Sequence, residues 1–158
     1  MSIAEKRLAE ERKSWRKDHP YGFSAKPESK PDGSTNLLTW VCKIPGKEGT
    51  DWQRGLYTVT LTFSLDYPAV APICKFTPYI FHCNVFKSGQ ICLDIINAAW
   101  KPSISIKQLL LSIQTLLDEP NPKHVTDAPE STNLYNKDIN AYRRRIREQA
   151  LRFVSDSD

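Results

Sequence analysis

The chain has 158 residues, of which 40% are hydrophobic and 25% are charged, and its net charge is +4. This length fits one domain with its own core and is short for two, so we expect a single domain over residues 1–158. No apolar run is long enough to cross a bilayer, and the charged N-terminal stretch lacks the apolar region of a secretory signal. We therefore expect a protein of the nucleus and cytoplasm, with no membrane partner.

The basic residues gather near the two ends of the chain. Near the start they are Arg12, Lys13, Arg16 and Lys17, and a second group lies within residues 143–152. Such runs are usually solvated helix faces, and the alternative is a docking surface for an acidic protein. Nucleic acid is not expected as a partner, because the basic runs carry few interleaved aromatic residues and no recognisable motif.

Four cysteines, Cys42, Cys74, Cys83 and Cys92, raise the question of a metal site or a disulfide. Without a secretory signal we expect reduced thiols. No pair has the Cys-x-x-Cys spacing typical of structural zinc sites. We therefore predict no metal site.

A helix is predicted at the start of the chain, over residues 2–17. Ser2 can cap it, and Glu5 stands three positions later, as a capping box requires. The helix should end by His19-Pro20, because the residue before a proline avoids helical angles.

Extended segments follow, separated by turn signals. Residues 22–26 form a short one, and residues 37–44, 56–63 and 73–76 alternate or concentrate apolar side chains as strands do. Short turns between consecutive strands favour an antiparallel meander.

Helical periodicity dominates the C-terminal third. Residues 105–118 carry enough apolar positions for a helix that is buried on most sides, and Ser105 can cap it. Residues 128–136 and 138–153 predict two more helices. The predicted class is α+β: an N-terminal helix, a four-stranded antiparallel meander, an irregular segment and three C-terminal helices.

The irregular segment lies between the last strand and the buried helix, where function is often found. Its tight turn is Ser88-Gly89. Beyond the turn, Ile91, Leu93 and Ile95 alternate with Cys92; if the three apolar residues point inward, Cys92 faces outward as a nucleophile would. The alternative is a short strand in which this cysteine is a small apolar filler.

Three stretches together resemble the ubiquitin-like conjugating enzymes. HCNVFKSGQICLDI resembles their active-site segment, which has His-Pro-Asn, a turn with glycine and a Cys-Leu pair; YPAVAPICKF and WKPSISIKQLLLSIQTLLDEPNP resemble the regions around it. The resemblance covers nearly the whole chain and implies the ubiquitin-conjugating fold. It also implies that Cys92 carries a protein modifier as a thioester and passes it to a lysine.

Further stretches are similar to the SUMO-conjugating branch: ERKSWRKDHPYGFSAKP, IPGKEGTDWQRGLY and RRRIREQALRF. This similarity implies SUMO, its activating enzyme, SUMO ligases and target proteins with acceptor lysines as partners. No cofactor should be bound, because ATP is consumed upstream by the activating enzyme. The implied partner-binding surface consists of Arg12, Lys13, Arg16, Lys17 and His19.

The resemblance also implies roles around Cys92. Asn84 would stabilise the oxyanion of the reaction or hold the loop that shapes the site. Asp127 would position and help to deprotonate the acceptor lysine, although a direct count from Asn121 puts His124 in that place. Phe86 takes the place of a tyrosine that contacts the acceptor.

His82, a lone histidine beside an aromatic residue, is expected to be structural. Cys83 replaces the proline of His-Pro-Asn, which places a second thiol in the active-site segment.

Three alternatives stay open. The first is a ubiquitin-conjugating enzyme, because the segment between Cys92 and Trp100 is shorter than in the SUMO branch and closer to the length found in ubiquitin-conjugating enzymes. A non-catalytic binding module of the same fold would lack the cysteine. A thiol-redox protein would pair Cys83 with Cys92.

Overall fold

Four helices and a four-stranded sheet make up the protein in the computed structural model, which describes residues 1–154. The helices are α1 (Ile3–Lys17), α2 (Ile106–Asp118), α3 (Pro129–Lys137) and α4 (Ile139–Arg152). The strands are β1 (Ser24–Ser29), β2 (Thr35–Pro45), β3 (Leu56–Thr62) and β4 (Ile73–Phe76), and a single 3-10 turn covers Asp94–Ile96. The predicted α+β class and the order of its elements are confirmed.

Helix α1 begins where the sequence predicts. The Ser2 hydroxyl accepts a hydrogen bond from the Glu5 amide at 3.1 Å, and the Glu5 carboxylate accepts one from the Ser2 amide at 3.2 Å. This reciprocal capping satisfies backbone donors that a helix start leaves free. The apolar side of α1 is buried against the rest of the protein through Ala4, Leu8 and Trp15. Most charged side chains of α1 therefore face solvent.

The sheet is an antiparallel meander in the order β1-β2-β3-β4. In β3 the residues Tyr57, Val59 and Leu61 are fully buried and alternate with threonines, which is the period expected of a sheet with one covered face. The first strand was predicted at residues 22–26, which is wrong by several residues. β2 extends back to Thr35, and pairing with it carries β1 on to Ser29 through an irregularity after Pro27.

Helix α2 supplies much of the core next to the active segment, the stretch HCNVFKSGQICLDI at residues 82–95. Ser105 and Gln108 form a second capping box at its start, and Leu110 and Ile113 are completely buried. Its C-terminal turn offers the Leu116 carbonyl to the Nε2 atom of His82 at 2.8 Å. The end of α2 therefore holds the active segment in place through His82. α3 and α4 follow within two residues of their predicted bounds.

The four cysteines are all free thiols; Cys42, Cys74 and Cys83 are buried and Cys92 is half-buried. Within residues 1–154, no group of three or more histidine, cysteine, aspartate or glutamate residues could hold a metal ion. Over the same residues, the helices are too short or too polar to cross a bilayer.

Candidate functional site

The active segment is held by backbone hydrogen bonds on both sides of its turn. The Ile91 amide donates to the Cys74 carbonyl at 2.9 Å, and the Cys92 amide donates to the Asn84 carbonyl at 2.8 Å. Gly89 has a φ of +93°, and a Cβ added there would collide with the Phe76 carbonyl oxygen. Glycine is required because it tolerates both the positive φ and the close approach. These contacts fix the backbone that carries Cys92.

The Cys92 side chain is only half-buried. Its sulfur can therefore be reached by another protein, as an attacking thiol requires. Burial, followed by the negative charge of Asp94, raises the pKa of the Cys92 thiol above its ordinary value. The resting thiol is therefore mostly protonated at neutral pH. The site has to manage a proton whenever this sulfur attacks or leaves.

An imidazole lies against the sulfur. The Nδ1 atom of His124 is 3.8 Å from Cys92 Sγ, and its Nε2 atom is 3.5 Å from the Asp94 carboxylate oxygen Oδ1. Sequence reasoning considered His124 only as a residue for the acceptor lysine and did not single out Asp94. Contact with Cys92 spans 32 positions along the chain, so no local pattern could have revealed it.

Asn84 is completely buried and its side-chain amide is fully used. Its Nδ2 donates to the carbonyls of Asn121 at 2.8 Å and of His124 at 3.3 Å, and its Oδ1 accepts from the Asn121 amide at 2.8 Å. Of the two roles considered for Asn84, this geometry favours holding the loop. Nδ2 could donate a hydrogen bond to an oxyanion only if one of those two bonds were broken.

His82 is also completely buried. Its Nε2 donates to the Leu116 carbonyl, and its Nδ1 accepts from the Asn84 amide at 2.9 Å. Burial lowers the pKa of His82 to about 4, so the ring is neutral at neutral pH. Both ring nitrogens are bonded to the scaffold, which is the arrangement expected of a structural histidine.

The second thiol of the segment points elsewhere. Cys83 Sγ lies 3.9 Å from the Tyr142 hydroxyl oxygen and is completely buried, and burial raises the pKa of the Cys83 thiol. Thiol exchange requires an accessible thiolate. The structure therefore offers nothing in favour of a redox pair between Cys83 and Cys92.

The two candidates for the acceptor-lysine position occupy different places. The exposed Asp127 carboxylate accepts a hydrogen bond from the Lys87 amide at 2.8 Å, and so ties the 121–128 loop to the turn that follows the half-buried Phe86. His124, in contrast, contacts Cys92 itself. The side chain in contact with the sulfur is therefore an imidazole, and the assignment of Asp127 or His124 to the acceptor lysine stays a prediction.

The predicted partner-binding residues lie together on α1 and just beyond it. Lys13, Arg16, Lys17 and His19 are exposed and Arg12 is partly so. The His19 ring stacks on Trp15 with centroids 5.0 Å apart, and its Nδ1 is 2.8 Å from the Trp15 carbonyl oxygen. This contact orients His19 beside the basic face.

Comparison with known proteins decides the family. A family profile described as "Ubiquitin-conjugating enzyme" matches residues 7–150. The chain belongs to the ubiquitin-conjugating enzyme family. This membership agrees with the α+β fold described above, and it makes the protein a transferase that works through a cysteine thioester; enzymes of this family need no cofactor themselves.

Three relatives of this ubiquitin-conjugating family member carry a more specific name. The SUMO-conjugating enzyme SCE1 of Arabidopsis thaliana is 49% identical over 96% of this chain and 95% of its own length. The SUMO-conjugating enzyme UBC9 of Caenorhabditis elegans is 47% identical over 98% and 93%. The SUMO-conjugating enzyme ubc9 of Dictyostelium discoideum is 54% identical over 77% of each chain.

Proposed function

We propose that this protein is a SUMO-conjugating enzyme. Cys92 sulfur attacks the thioester that joins the C-terminal carbonyl of SUMO to the activating enzyme; a new thioester forms on Cys92 and the thiol of the activating enzyme leaves. The ε-amine of a target lysine then attacks this second thioester. An isopeptide bond forms, the C–S bond breaks and Cys92 is free again.

The observation that carries this proposal is the half-buried Cys92 thiol, held on a rigid segment and touched by an imidazole. An accessible sulfur is what distinguishes a conjugating enzyme from a binding module of the same fold. The choice of SUMO is supported by the three relatives, each of which is named for SUMO conjugation.

The proposed partners are proteins. The basic face of α1, with His19 beside it, would dock acidic surfaces of SUMO and of its activating enzyme, and SUMO ligases and target proteins would approach the active segment. The reaction needs no bound metal, and ATP is used by the activating enzyme. We place the protein in the nucleus and cytoplasm, with neither nucleic acid nor a membrane as its partner.

Ubiquitin conjugation is the second candidate, favoured by one observation. The segment between Cys92 and Trp100 is short, and its first part, Asp94–Ile96, forms a compact 3-10 turn. A short segment here resembles the ubiquitin-conjugating branch. Identity to the SUMO-conjugating relatives extends over most of the chain, and we give it more weight than one segment.

A charging assay separates these functions. The protein is incubated with SUMO, the SUMO-activating enzyme and ATP, and in parallel with ubiquitin and its activating enzyme, and the products are run on gels with and without a reducing agent. We expect a thiol-sensitive adduct with SUMO. Cys92→Ala should abolish this adduct, and Cys92→Ser should convert it into an oxyester that survives the reducing agent.

The other outcomes assign the protein differently. An adduct with ubiquitin alone would establish the second candidate. No adduct with either modifier, from a chain that circular dichroism shows to be folded, would leave only a binding module. An adduct that persists in Cys92→Ala would move the acceptor to another residue.

A further inference from the structure

His124 is held in place by its backbone, independently of its ring. The His124 carbonyl accepts from Asn84 Nδ2 at 3.3 Å, and the His124 amide donates to the Asn121 carbonyl at 3.1 Å. Asn84 is completely buried, so this anchor is part of the rigid core. The backbone hydrogen bonds of this loop therefore place the ring next to the sulfur.

Asp94 lies beside the other nitrogen of the ring. Its carboxylate oxygen Oδ1 is 3.5 Å from His124 Nε2, and a negative oxygen at that distance favours the neutral tautomer that carries its hydrogen on Nε2. The tautomer assigned in this way leaves a lone pair on Nδ1, which faces Cys92 Sγ at 3.8 Å. The contact is that of a thiol and a base whose orientation is set by a third group.

The ring is also reachable from solution. The His124 side chain is 34% exposed, so an amine that approaches the thioester on Cys92 can meet Nδ1 beside the sulfur. The exposed Val125 follows it in the same loop. A buried histidine such as His82 could not exchange a proton with a substrate in this way.

We propose that His124 carries the proton during transfer from Cys92 to the acceptor amine; this inference rests on the function proposed above. The neutral amine nitrogen attacks the thioester carbonyl carbon and forms a C–N bond, and Nδ1 accepts a proton from that nitrogen. The C–S bond then breaks, its electron pair goes to sulfur, and the proton passes from Nδ1 to Sγ. An amide, a thiol and a neutral imidazole result.

The surroundings of the sulfur support the need for this proton. A thiol of higher pKa is a poorer leaving group as the thiolate, and burial with the Asp94 charge raises the pKa of Cys92. Among the described residues, the titratable groups that contact the ring are the Cys92 thiol and the Asp94 carboxylate. Glu119 lines the same groove as Asp94, and the Asp127 carboxylate is bonded to the Lys87 amide.

The test follows discharge of the SUMO thioester to free lysine in a single turnover, after ATP is removed. His124→Ala keeps the backbone bonds to Asn84 and Asn121 and removes only the ring. We expect the variant to charge and its discharge to fall roughly 10²-fold, within the range of general acid–base catalysis. Added imidazole should restore at least roughly a tenth of the lost rate, whereas pyrazole, a weaker base of the same size, should not.

Val125→Ala is the matched control, since it shortens an exposed neighbour in the same loop, and it should discharge like the natural enzyme. Unchanged discharge in His124→Ala overturns the inference. A loss that imidazole does not reverse overturns it as well, because the ring would then act by packing. A natural enzyme that never charges with SUMO contradicts the proposed function instead, and the ubiquitin thioester then serves for the same measurement.

Discussion

At the scale of single residues, the site is built around the charge of one carboxylate near one sulfur. Asp94 opposes ionisation of Cys92, and it also orients His124 toward that sulfur. The two effects have opposite consequences for the enzyme. A lower thiolate population slows attack by the resting thiol, whereas an oriented imidazole assists departure of the same sulfur. Asp94 is therefore a positioning residue whose two contributions can be measured separately.

Asp94→Asn should change those two contributions in opposite directions. Without the negative charge the pKa of Cys92 falls, so alkylation by iodoacetamide at neutral pH should become roughly two- to threefold faster, the small effect expected of an exposed charge. Discharge of the thioester to lysine should become roughly tenfold slower, a part of what acid–base catalysis contributes. Mass spectrometry of quenched alkylation reactions gives the first rate, and gels of single-turnover discharge reactions give the second.

Asp94→Glu is the control for the Asp94→Asn pair of measurements, because it keeps the charge and an acceptor for His124. It should return both rates toward those of the natural enzyme. If Asp94→Asn changed both rates in the same direction, Asp94 would act through the shape of the segment and not through its charge.

At the scale of elements, what was local in the sequence was predictable. The capping box at Ser2, the cap at Ser105 and the apolar periodicity of α2 placed both helices within a residue, because those signals lie inside the element itself. The bounds of β1 were wrong because they depend on pairing with β2. The contact of His124 with Cys92 was beyond prediction for the same reason, since it depends on how Asn84 anchors a distant loop.

The basic face of α1 is an element-scale feature with a testable consequence. Replacing Arg12, Lys13, Arg16 and Lys17 together by glutamine should slow charging of Cys92 roughly tenfold at physiological salt, because complementary charge accelerates encounter with an acidic partner. The difference should shrink as salt is raised and screens the charges. Initial rates of thioester formation at several salt concentrations measure it.

The control replaces four exposed cations outside α1 by glutamine, so that both variants carry the same net charge. The four residues are Lys26, Lys137, Arg144 and Arg152. If the docking surface is the α1 face, this variant should charge within about twofold of the natural rate, since exposed charges outside an interface contribute little. Equal slowing of both variants would mean that net charge, and not the α1 face, governs the encounter.

At the scale of the whole molecule, the active segment and the core share their most important hydrogen bonds. His82 joins the end of α2 to the Asn84 backbone, and the Ser131 hydroxyl of α3 donates to the His82 carbonyl at 3.1 Å. His82 and Ser131 are both buried, so these hydrogen bonds lie inside the protein and not at its surface. The stability of the fold and the position of Cys92 should therefore respond to the same perturbations.

Acid should test that coupling through His82. Burial lowers the pKa of His82 to about 4, whereas an unfolded histidine has a pKa of about 6.5. The unfolded chain therefore binds the extra proton first, and the free energy of unfolding falls as pH drops through this window, with a slope of at most about 1.4 kcal/mol per pH unit. His82→Gln removes the titrating group, so between pH 7 and pH 5 it should lose about 2 kcal/mol less stability than the natural protein.

Urea unfolding at several pH values measures both slopes. Ser131→Ala is the matched control: it removes a buried hydrogen bond of the same cluster without removing a titrating group, so it should lower stability by about 1–3 kcal/mol at every pH and keep the natural slope. His82→Gln should also be less stable than the natural protein at neutral pH, because its amide cannot reproduce both bonds of the ring. Parallel pH curves for His82→Gln and the natural protein would show that the native state accepts a proton at His82 as easily as the unfolded chain does, and the neutral, doubly bonded ring would then be the wrong description of this site.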